Sequence, residues 1–311
     1  MNKKKLSFSH PAVAALVACL CNLLWGSAIP VINVGYRHFG VAAGDTATQM
    51  HFAGMRFFFA GLLTVAFISL IRGRLVQPKK GNWKLAFALA LVQTIVQYAF
   101  FYVGVANTES VKGSIIQGLS PFINILIACY LFRSERMNGL KWLGGLLGVA
   151  GVIVMNLGGG GMTLTASLTG EGFLILSLLA NAVSAGMIKI FGRYDDPAAL
   201  CGWQFMIGGA VMAVIGFAAG GRLAPQGAAA FGVLGYLSML SAVAYTLWAL
   251  LLSSNPVSRV AVYSFLQPLF GVALGVLLGT AKDVPYLRYG AALLLVCLSI
   301  VIVVRGQREK A

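Results

Sequence analysis

Residues 113–132 read GSIIQGLSPFINILIACYLF, and residues 260–279 read VAVYSFLQPLFGVALGVLLG. Each stretch is 20 residues long and carries no Asp, Glu, Lys or Arg, which is typical of a helix that crosses a bilayer. At an offset of 147 residues the two stretches align, and Pro121 matches Pro268. We therefore predict membrane-spanning helices that occur in two related sets.

The whole chain has the composition of a membrane protein. Of its 311 residues, 59% are hydrophobic and only 10% are charged, whereas an average soluble domain carries about 25% charged residues. This composition excludes a water-soluble globular protein. Ten stretches are long and apolar enough to span a bilayer, at residues 12–35, 52–71, 83–106, 114–132, 140–157, 172–190, 201–220, 229–252, 260–280 and 286–304.

The basic residues lie between these stretches and indicate how the chain crosses the membrane. With the N-terminus placed in the cytoplasm, 17 of the 23 Lys and Arg residues fall on the cytoplasmic side, 5 fall on the opposite side, and Arg56 lies inside a span. This bias predicts that both termini are cytoplasmic. Because the net charge of +15 is scattered along the chain, we expect no nucleic-acid partner.

The sequence offers no motif for catalysis, metal binding or a cofactor. The five cysteines lie in apolar stretches without a CxxC spacing, and P-loop, HExxH and GxSxG motifs do not occur. We therefore predict no enzyme activity, no metal and no cofactor. All eight acidic residues fall in or beside predicted loops, so we expect no carboxylate at the membrane midplane, where ion-coupled carriers normally use one.

Further matches extend the repeat along the chain. Tyr98 matches Tyr245 at the offset of 147, and Gly54 matches Gly202 at an offset of 148. Each half holds five spans, an odd number, so the second half enters the membrane from the opposite side. Such inverted repeats surround a central cavity in secondary transporters. We assign the first five-helix repeat to residues 1–157, the junction loop to 158–170 and the second repeat to 171–311.

Several segments resemble those of a known transporter family. NLLWGSAIPVI (22–32), HFAGMRFFFAGLL (51–63), the run from GVANTES to VIVMN (104–156) and LLSSNPVSRVAVYSFLQPLFGVALGVLLG (251–279) are similar to the EamA family of the drug/metabolite transporter superfamily. The resemblance covers nearly the whole chain. It implies ten helices around a central cavity and, commonly, efflux of amino acids or other small metabolites, without naming one substrate.

Polar and aromatic side chains inside the spans are the candidate substrate contacts, because exposing polar groups to lipid is costly. We expect Tyr98 and Tyr245, which the repeat matches, to line an aromatic cavity; the alternative is a role in helix packing or in the interface belt. The predicted substrate-binding residues are Asn22, Trp25, Gln93, Gln97, Tyr98, Tyr102, Gln117, Asn181, Ser184, Tyr245, Trp248, Tyr263 and Ser264.

Arg56 is a possible contact for an anionic group, because its guanidinium offers a planar fork to a carboxylate or phosphate. Alternatively, its side chain extends to the outer interface or pairs with a loop acid such as Asp45 or Glu109. Prolines inside spans soften a helix, so they are candidate hinges or gates, although static packing explains them equally well. The predicted hinge residues are Pro30, Pro121 and Pro268.

The sequence thus predicts a multi-pass protein of a bacterial-type inner membrane that transports by alternating access. The favoured substrate is an amino acid or a similarly small amphipathic metabolite, moved outwards. One alternative is an exchanger or uptake carrier for a nucleotide-like or phosphorylated metabolite, with Arg56 and Lys112 as anion contacts. The other is a membrane scaffold without flux. The expected partners are a small-molecule substrate and membrane lipid, and we expect a monomer or a weak dimer.

Overall fold

The computed structural model describes residues 8–42, 44–156, 167–277 and 286–306. Within these ranges the regular structure is entirely helical, and ten helices are long and apolar enough to cross a membrane. The prediction of an all-helical membrane protein with ten spans is therefore confirmed. Most of the predicted junction 158–170, and the final residues of the spans predicted at 140–157 and 260–280, lie outside the described residues.

Six of the ten helices are continuous, and four are built from shorter segments. The ten are α1 (Pro11–His38), α2 (Thr46–Arg72), α3 (Trp83–Leu89, Ala90–Val96 and Gln97–Ala106), α4 (Ser110–Gly118, Ser120–Leu126 and Ile127–Leu131), α5 (Gly139–Asn156), α6 (Leu168–Gly172 and Phe173–Phe191), α7 (Pro197–Ala218), α8 (Ala228–Ser254), α9 (Val257–Ala261, Val262–Phe265 and Leu266–Leu277) and α10 (Tyr286–Arg305). The π-helical segments are Ala90–Val96, Ile127–Leu131 and Leu168–Gly172, and the 3-10 segment is Val262–Phe265.

Each predicted span overlaps one of these helices, but α2, α4, α6 and α7 begin four or more residues earlier than predicted. α2 begins at Thr46, six residues before the predicted start, because the Asp45 carboxylate caps it by accepting a hydrogen bond of 3.0 Å from the backbone N–H of Thr48. α6 begins at Leu168, four residues before the predicted start, and the Ser167 hydroxyl caps it. These caps are polar residues outside the apolar run, so hydropathy does not detect them.

The two halves of the chain meet along α2 and α7, the most extensively packed helix pair among the described elements. A Cβ atom added to Gly54 would lie 2.8 Å from the Gly209 carbonyl oxygen, and one added to Gly209 would lie 2.8 Å from the Gly54 carbonyl oxygen. One added to Gly61 would lie 2.5 Å from the Gly202 carbonyl oxygen. Small residues thus let the two backbones approach closely, as at other helix crossings in membranes.

α4 and α9 are both interrupted, and in each helix a proline stands in the first turn after the interruption. Pro121 is the second residue of Ser120–Leu126, and Pro268 is the third residue of Leu266–Leu277. A proline in the first turn loses little, because the N–H group that it lacks has no partner within the helix there. The two halves therefore carry their interruptions at positions that the sequence repeat matches.

Candidate functional site

Aromatic side chains from both halves meet at the interface between them. The hydroxyl oxygens of Tyr98 on α3 and Tyr245 on α8 lie 2.5 Å apart, which is hydrogen-bonding distance. Phe57 on α2 and Phe205 on α7 stack with their ring centroids 5.2 Å apart and their planes 5° from parallel. Both pairs consist of residues that the sequence repeat matches. Matched positions of the two halves therefore contact each other here.

α1 and α8 add tryptophans to this group. The Trp25 ring lies 5.0 Å from the Tyr245 ring and 5.0 Å from the Trp248 ring, edge to face in both cases. Tyr102 lies 6.2 Å from Tyr98 on the same helix. We use the name aromatic cluster for Trp25, Phe57, Tyr98, Phe101, Tyr102, Phe205, Tyr245 and Trp248. All five of the aromatic residues predicted on α1, α3 and α8 belong to it.

A narrow cleft lies beside the aromatic cluster, and two buried donors that the described residues leave without a partner lie outside its lining. Gln93 of α3 lines this cleft together with Tyr245 and Trp248. The indole N–H of Trp25 and the amide nitrogen of Gln204 are buried and have no hydrogen-bond acceptor among the described residues. Because buried donors are normally bonded, these two groups are suited to a ligand that carries acceptor atoms.

A second polar group joins α3, α4 and α6. The Asn181 side-chain oxygen accepts hydrogen bonds from the Asn124 amide at 3.2 Å and the Ser120 hydroxyl at 3.4 Å, and the Asn181 amide donates to Gln97 at 3.5 Å. Such bonds between buried polar side chains stabilise helix contacts in a bilayer. Gln97 and Gln93 therefore have different surroundings, although the sequence predicts that they share a face.

The other predicted polar contacts are not joined to the aromatic cluster. Asn22 is fully buried, and both its amide nitrogen and the Ser184 hydroxyl donate to carbonyl oxygens of their own helices, at 2.8 Å and 2.7 Å. Tyr263 borders a separate cleft beside α10, and Ser264 follows it in the 3-10 segment. Gln117 is half-buried, and its amide nitrogen has no acceptor among the described residues.

α1 approaches α9 closely near the predicted proline gate. A Cβ atom added to Gly26 would lie 3.0 Å from the Gly271 backbone nitrogen and 3.1 Å from the Gln267 carbonyl oxygen. The absence of a side chain at Gly26 therefore allows this close approach, and α1 continues as a helix through Pro30. The hinge roles of Pro30 and of the prolines in α4 and α9 stay predictions.

Arg56 of α2 is buried beside the aromatic cluster. Its exposed fraction is 6%, and its guanidinium carbon lies 4.4 Å from the centroid of the Phe57 ring. Asp45 caps α2, whereas Glu109 forms an ion pair with Lys112. The two alternatives that the sequence suggests for Arg56 are therefore wrong. Its side chain does not extend to the outer interface, and it pairs with neither acid.

At the end of the bundle where α2 ends and α7 begins, acidic side chains link the two halves. The Asp195 carboxylate accepts a hydrogen bond of 2.8 Å from the backbone N–H of Lys79. The Glu135 carboxylate, between α4 and α5, accepts hydrogen bonds from the backbone N–H and the hydroxyl of Ser258, at the start of α9. It also pairs with the Lys141 ammonium at 2.8 Å. The sequence predicts only that these acids lie in loops.

Sequence reasoning misses five residues of this site, which are Phe57, Thr94, Phe101, Gln204 and Phe205. Phe57 and Phe205 occupy matched positions in GMRFFFAG (54–61) and GWQFMIGG (202–209), so the repeat itself contains the signal that points to them. Thr94 has no such signal, because its hydroxyl bonds to the Gln204 side-chain oxygen at 2.7 Å only in the folded chain.

Both halves of the chain are similar to one protein family. The model of the EamA-like transporter family matches residues 12–157 and again residues 168–305. A solved crystal structure superposes on 94% of this chain and 98% of its own chain, with a TM-score of 0.76 and 17% sequence identity. At that identity the likeness shows the fold alone.

Curated relatives include proteins of a plant and of bacteria. A chloroplastic WAT1-related protein of Arabidopsis thaliana is 27% identical over 260 residues, which are 80% of this chain but only 61% of that protein. The "Uncharacterized transporter sll0355" of Synechocystis is 27% identical over 271 residues, covering 80% of this chain and 78% of that protein. The "Uncharacterized inner membrane transporter YedA" of Escherichia coli K12 is 25% identical over 300 residues, covering 93% and 90% of the two chains.

Proposed function

The chain belongs to the EamA-like transporter family, and on that premise we propose that it exports a small amphipathic metabolite, such as an amino acid, by alternating access. Family membership and ten spans establish a multi-pass integral membrane transporter. The proposal adds the substrate class, the outward direction, the location in a bacterial-type inner membrane and the mechanism.

The aromatic cluster is the observation that carries this proposal. An amphipathic substrate needs apolar surface for most of its area and a few hydrogen-bonding groups that orient it. The aromatic cluster supplies the apolar surface, and the unpartnered donors of Trp25 and Gln204 supply hydrogen-bonding groups. Because these side chains come from α1, α2, α3, α7 and α8, a bound molecule would contact both halves of the chain.

The arrangement of the halves supports alternating access. In secondary transporters with inverted repeats, the halves rock around a site that lies between them. Here the matched pairs Tyr98–Tyr245 and Phe57–Phe205 meet at the interface, as expected if the halves are related by a two-fold axis in the membrane plane. Movement about that axis would open the cluster to one side of the membrane and then to the other.

Flux in liposomes tests the proposal. We expect purified protein in liposomes to catalyse saturable counterflow of one or more radiolabelled amino acids, with competition by unlabelled analogues. Flux that rises linearly with concentration would contradict a carrier mechanism. Liposomes that show no flux with any of the twenty amino acids would contradict amino acid transport and favour a scaffold.

Three tyrosine variants then test the position of the site. We expect Tyr98→Ala and Tyr245→Ala to change the ratio of kcat/KM between an aromatic and a small amino acid, while expression stays close to that of the wild type. Tyr130→Ala is the matched control, because this tyrosine lies on α4 and is 58% exposed. Unchanged kinetics in both cluster variants would refute the assignment.

A further inference from the structure

Arg56 is a buried positive charge deep inside a span. It lies ten residues after the start of α2, or about 15 Å along the helix axis at 1.5 Å per residue. Its side chain is nine-tenths buried. Burying a charge is costly unless a partner compensates it. This guanidinium therefore requires a compensating group.

Among the described residues, Arg56 forms no ion pair with a carboxylate. The ion pairs present there are Arg72–Asp196, Lys112–Glu109, Lys112–Glu171 and Lys141–Glu135. The Nε atom of Arg56 is buried and has no hydrogen-bond partner in the same part of the chain. One positive charge and at least one N–H donor of this side chain are thus left without an anionic partner.

The surroundings of Arg56 are aromatic and neutral. The guanidinium lies over the Phe57 ring, and that ring in turn packs against Tyr98 and Tyr245. Ring faces and phenol oxygens stabilise a cation, but they carry no full negative charge. They also provide flat apolar surface beside the cation. The site is therefore complementary to a molecule with one anionic end and an apolar body.

We propose that Arg56 binds the carboxylate of the substrate while the aromatic cluster packs against its apolar part. The substrate class is then a monocarboxylate with an aromatic or aliphatic side group, which includes amino acids. This inference rests on the proposed transport function and names its anion-binding residue. A guanidinium and a carboxylate form two parallel charge-assisted hydrogen bonds, for which a free Nε–H is suited.

The charge count favours a carboxylate over a phosphate. A phosphate monoester carries roughly 1.5 to 2 negative charges at pH 7, so one guanidinium would leave it partly uncompensated in a poorly hydrated site. Lys112, the second cation that the sequence suggests for a phosphorylated substrate, lies 3.3 Å from Glu171 and 3.9 Å from Glu109. A single carboxylate instead matches the one positive charge of the guanidinium.

Matched ligand pairs test the proposal on the purified full-length protein. The probes are phenylacetate with phenylacetamide, L-phenylalanine with L-phenylalaninamide, and isocaproate with isocaproamide; each pair differs at the carboxyl group. Affinity is measured from the rise in melting temperature with ligand concentration. We expect at least one carboxylate to bind more tightly than its amide. In Arg56→Gln this preference should fall on the order of 10- to 100-fold.

Two further variants separate binding from folding. Arg56→Lys keeps the charge but not the fork, so it should retain part of the preference even if Arg56→Gln proves too unstable to measure. Arg222→Gln is the matched control, because the Arg222 guanidinium also lies over a phenylalanine ring, Phe217, but bonds to the backbone carbonyls of Phe217 and Gly221 at the end of α7. It should bind the carboxylate like the wild type.

Three results would overturn the carboxylate site. In the first, the wild type binds every carboxylate and its amide equally well. In the second, both Arg56 variants keep the full carboxylate preference. In the third, phenyl phosphate binds more tightly than phenylacetate, and this binding depends on Arg56. Flux separates this inference from the transport proposal. If amides and carboxylates are transported with equal KM, the carboxylate site is refuted and the carrier function stands. If carboxylates bind in an Arg56-dependent way but no flux occurs, the site stands and the carrier function is refuted.

Discussion

The buried ion pair between Glu135 and Lys141 provides a sharp test of how much paired charges stabilise this protein. Its oxygens accept bonds from the Lys141 ammonium at 2.8 Å and from the Ser258 backbone N–H at 3.0 Å. The side chains of Glu135 and Lys141 are only 8% and 5% exposed. Replacing Glu135 by Gln keeps the size and an acceptor for Ser258, but it leaves the Lys141 charge buried and unpaired.

The expected cost follows from that burial. Removing one partner of a buried ion pair destabilises a protein by about 3–5 kcal/mol, which corresponds to a fall in melting temperature on the order of 5–15 °C. The Arg136 carbonyl, 2.9 Å from the Lys141 ammonium, remains as a neutral acceptor, so we expect Glu135→Gln near the lower end. Glu135→Gln/Lys141→Met removes both charges and should recover most of the loss.

Thermal unfolding in detergent, followed by tryptophan fluorescence, measures these effects. Glu109→Gln is the control, because the Glu109 side chain is 39% exposed and 3.9 Å from Lys112; ion pairs of this kind contribute less than about 1 kcal/mol. If Glu135→Gln melts within about 1 °C of the wild type, or if the double variant is no more stable than Glu135→Gln, the reasoning is refuted.

Two further predictions concern the α2–α7 crossing and the start of α2. Gly54→Ala should lower the melting temperature, because its Cβ would lie 2.6 Å from the Ala213 Cα, and overpacking of this kind costs about 1–3 kcal/mol. Gly232→Ala on α8 is the control; its Cβ would meet nothing within 4 Å, so it should be neutral or stabilising. Equal melting temperatures of the two variants would contradict the close crossing. Hydrogen bonds from the Thr48 hydroxyl and backbone N–H lower the pKa of Asp45 below its ordinary value. The stability that these bonds contribute is therefore present above the unfolded-state pKa and is lost as the pH falls through the folded-state pKa. The melting temperatures of Asp45→Asn and the wild type should therefore differ at neutral pH and converge below about pH 4, and a difference that stays constant down to pH 3 would exclude this linkage.

The positions of the spans were predictable because they depend on local composition. A run of about 20 apolar residues forms a helix in lipid whatever its neighbours are, since only a helix satisfies its backbone groups within one segment. The helix starts at Thr46 and Leu168 were not predictable in this way, because the Asp45 and Ser167 caps are polar. The π-helical turns in α3, α4 and α6 also leave no mark in the hydropathy pattern.

The candidate site was predictable only in part. The repeat matches Tyr98 with Tyr245 in the sequence, and these two residues are in contact in the structure. At an offset of 159 residues the sequence also matches Asn22 with Asn181, but among the described residues only Asn181 of this pair forms side-chain hydrogen bonds to other helices. A match in sequence assigns equivalent positions, whereas the neighbours of each position depend on how the helices are rotated and spaced.

The sequence by itself determined that this chain is a ten-helix membrane protein and indicated its family, because apolar length and motif order are properties of contiguous residues. Only the tertiary structure decided which side chains meet. It brought Phe57 onto Phe205 and left Arg56 buried beside them, with no carboxylate partner in the part of the chain that the structure describes. Helices in lipid associate through close packing and polar contacts rather than through a hydrophobic driving force. Composition therefore determines how many helices there are, and the shapes of small residues such as Gly54 and Gly209 determine which faces touch.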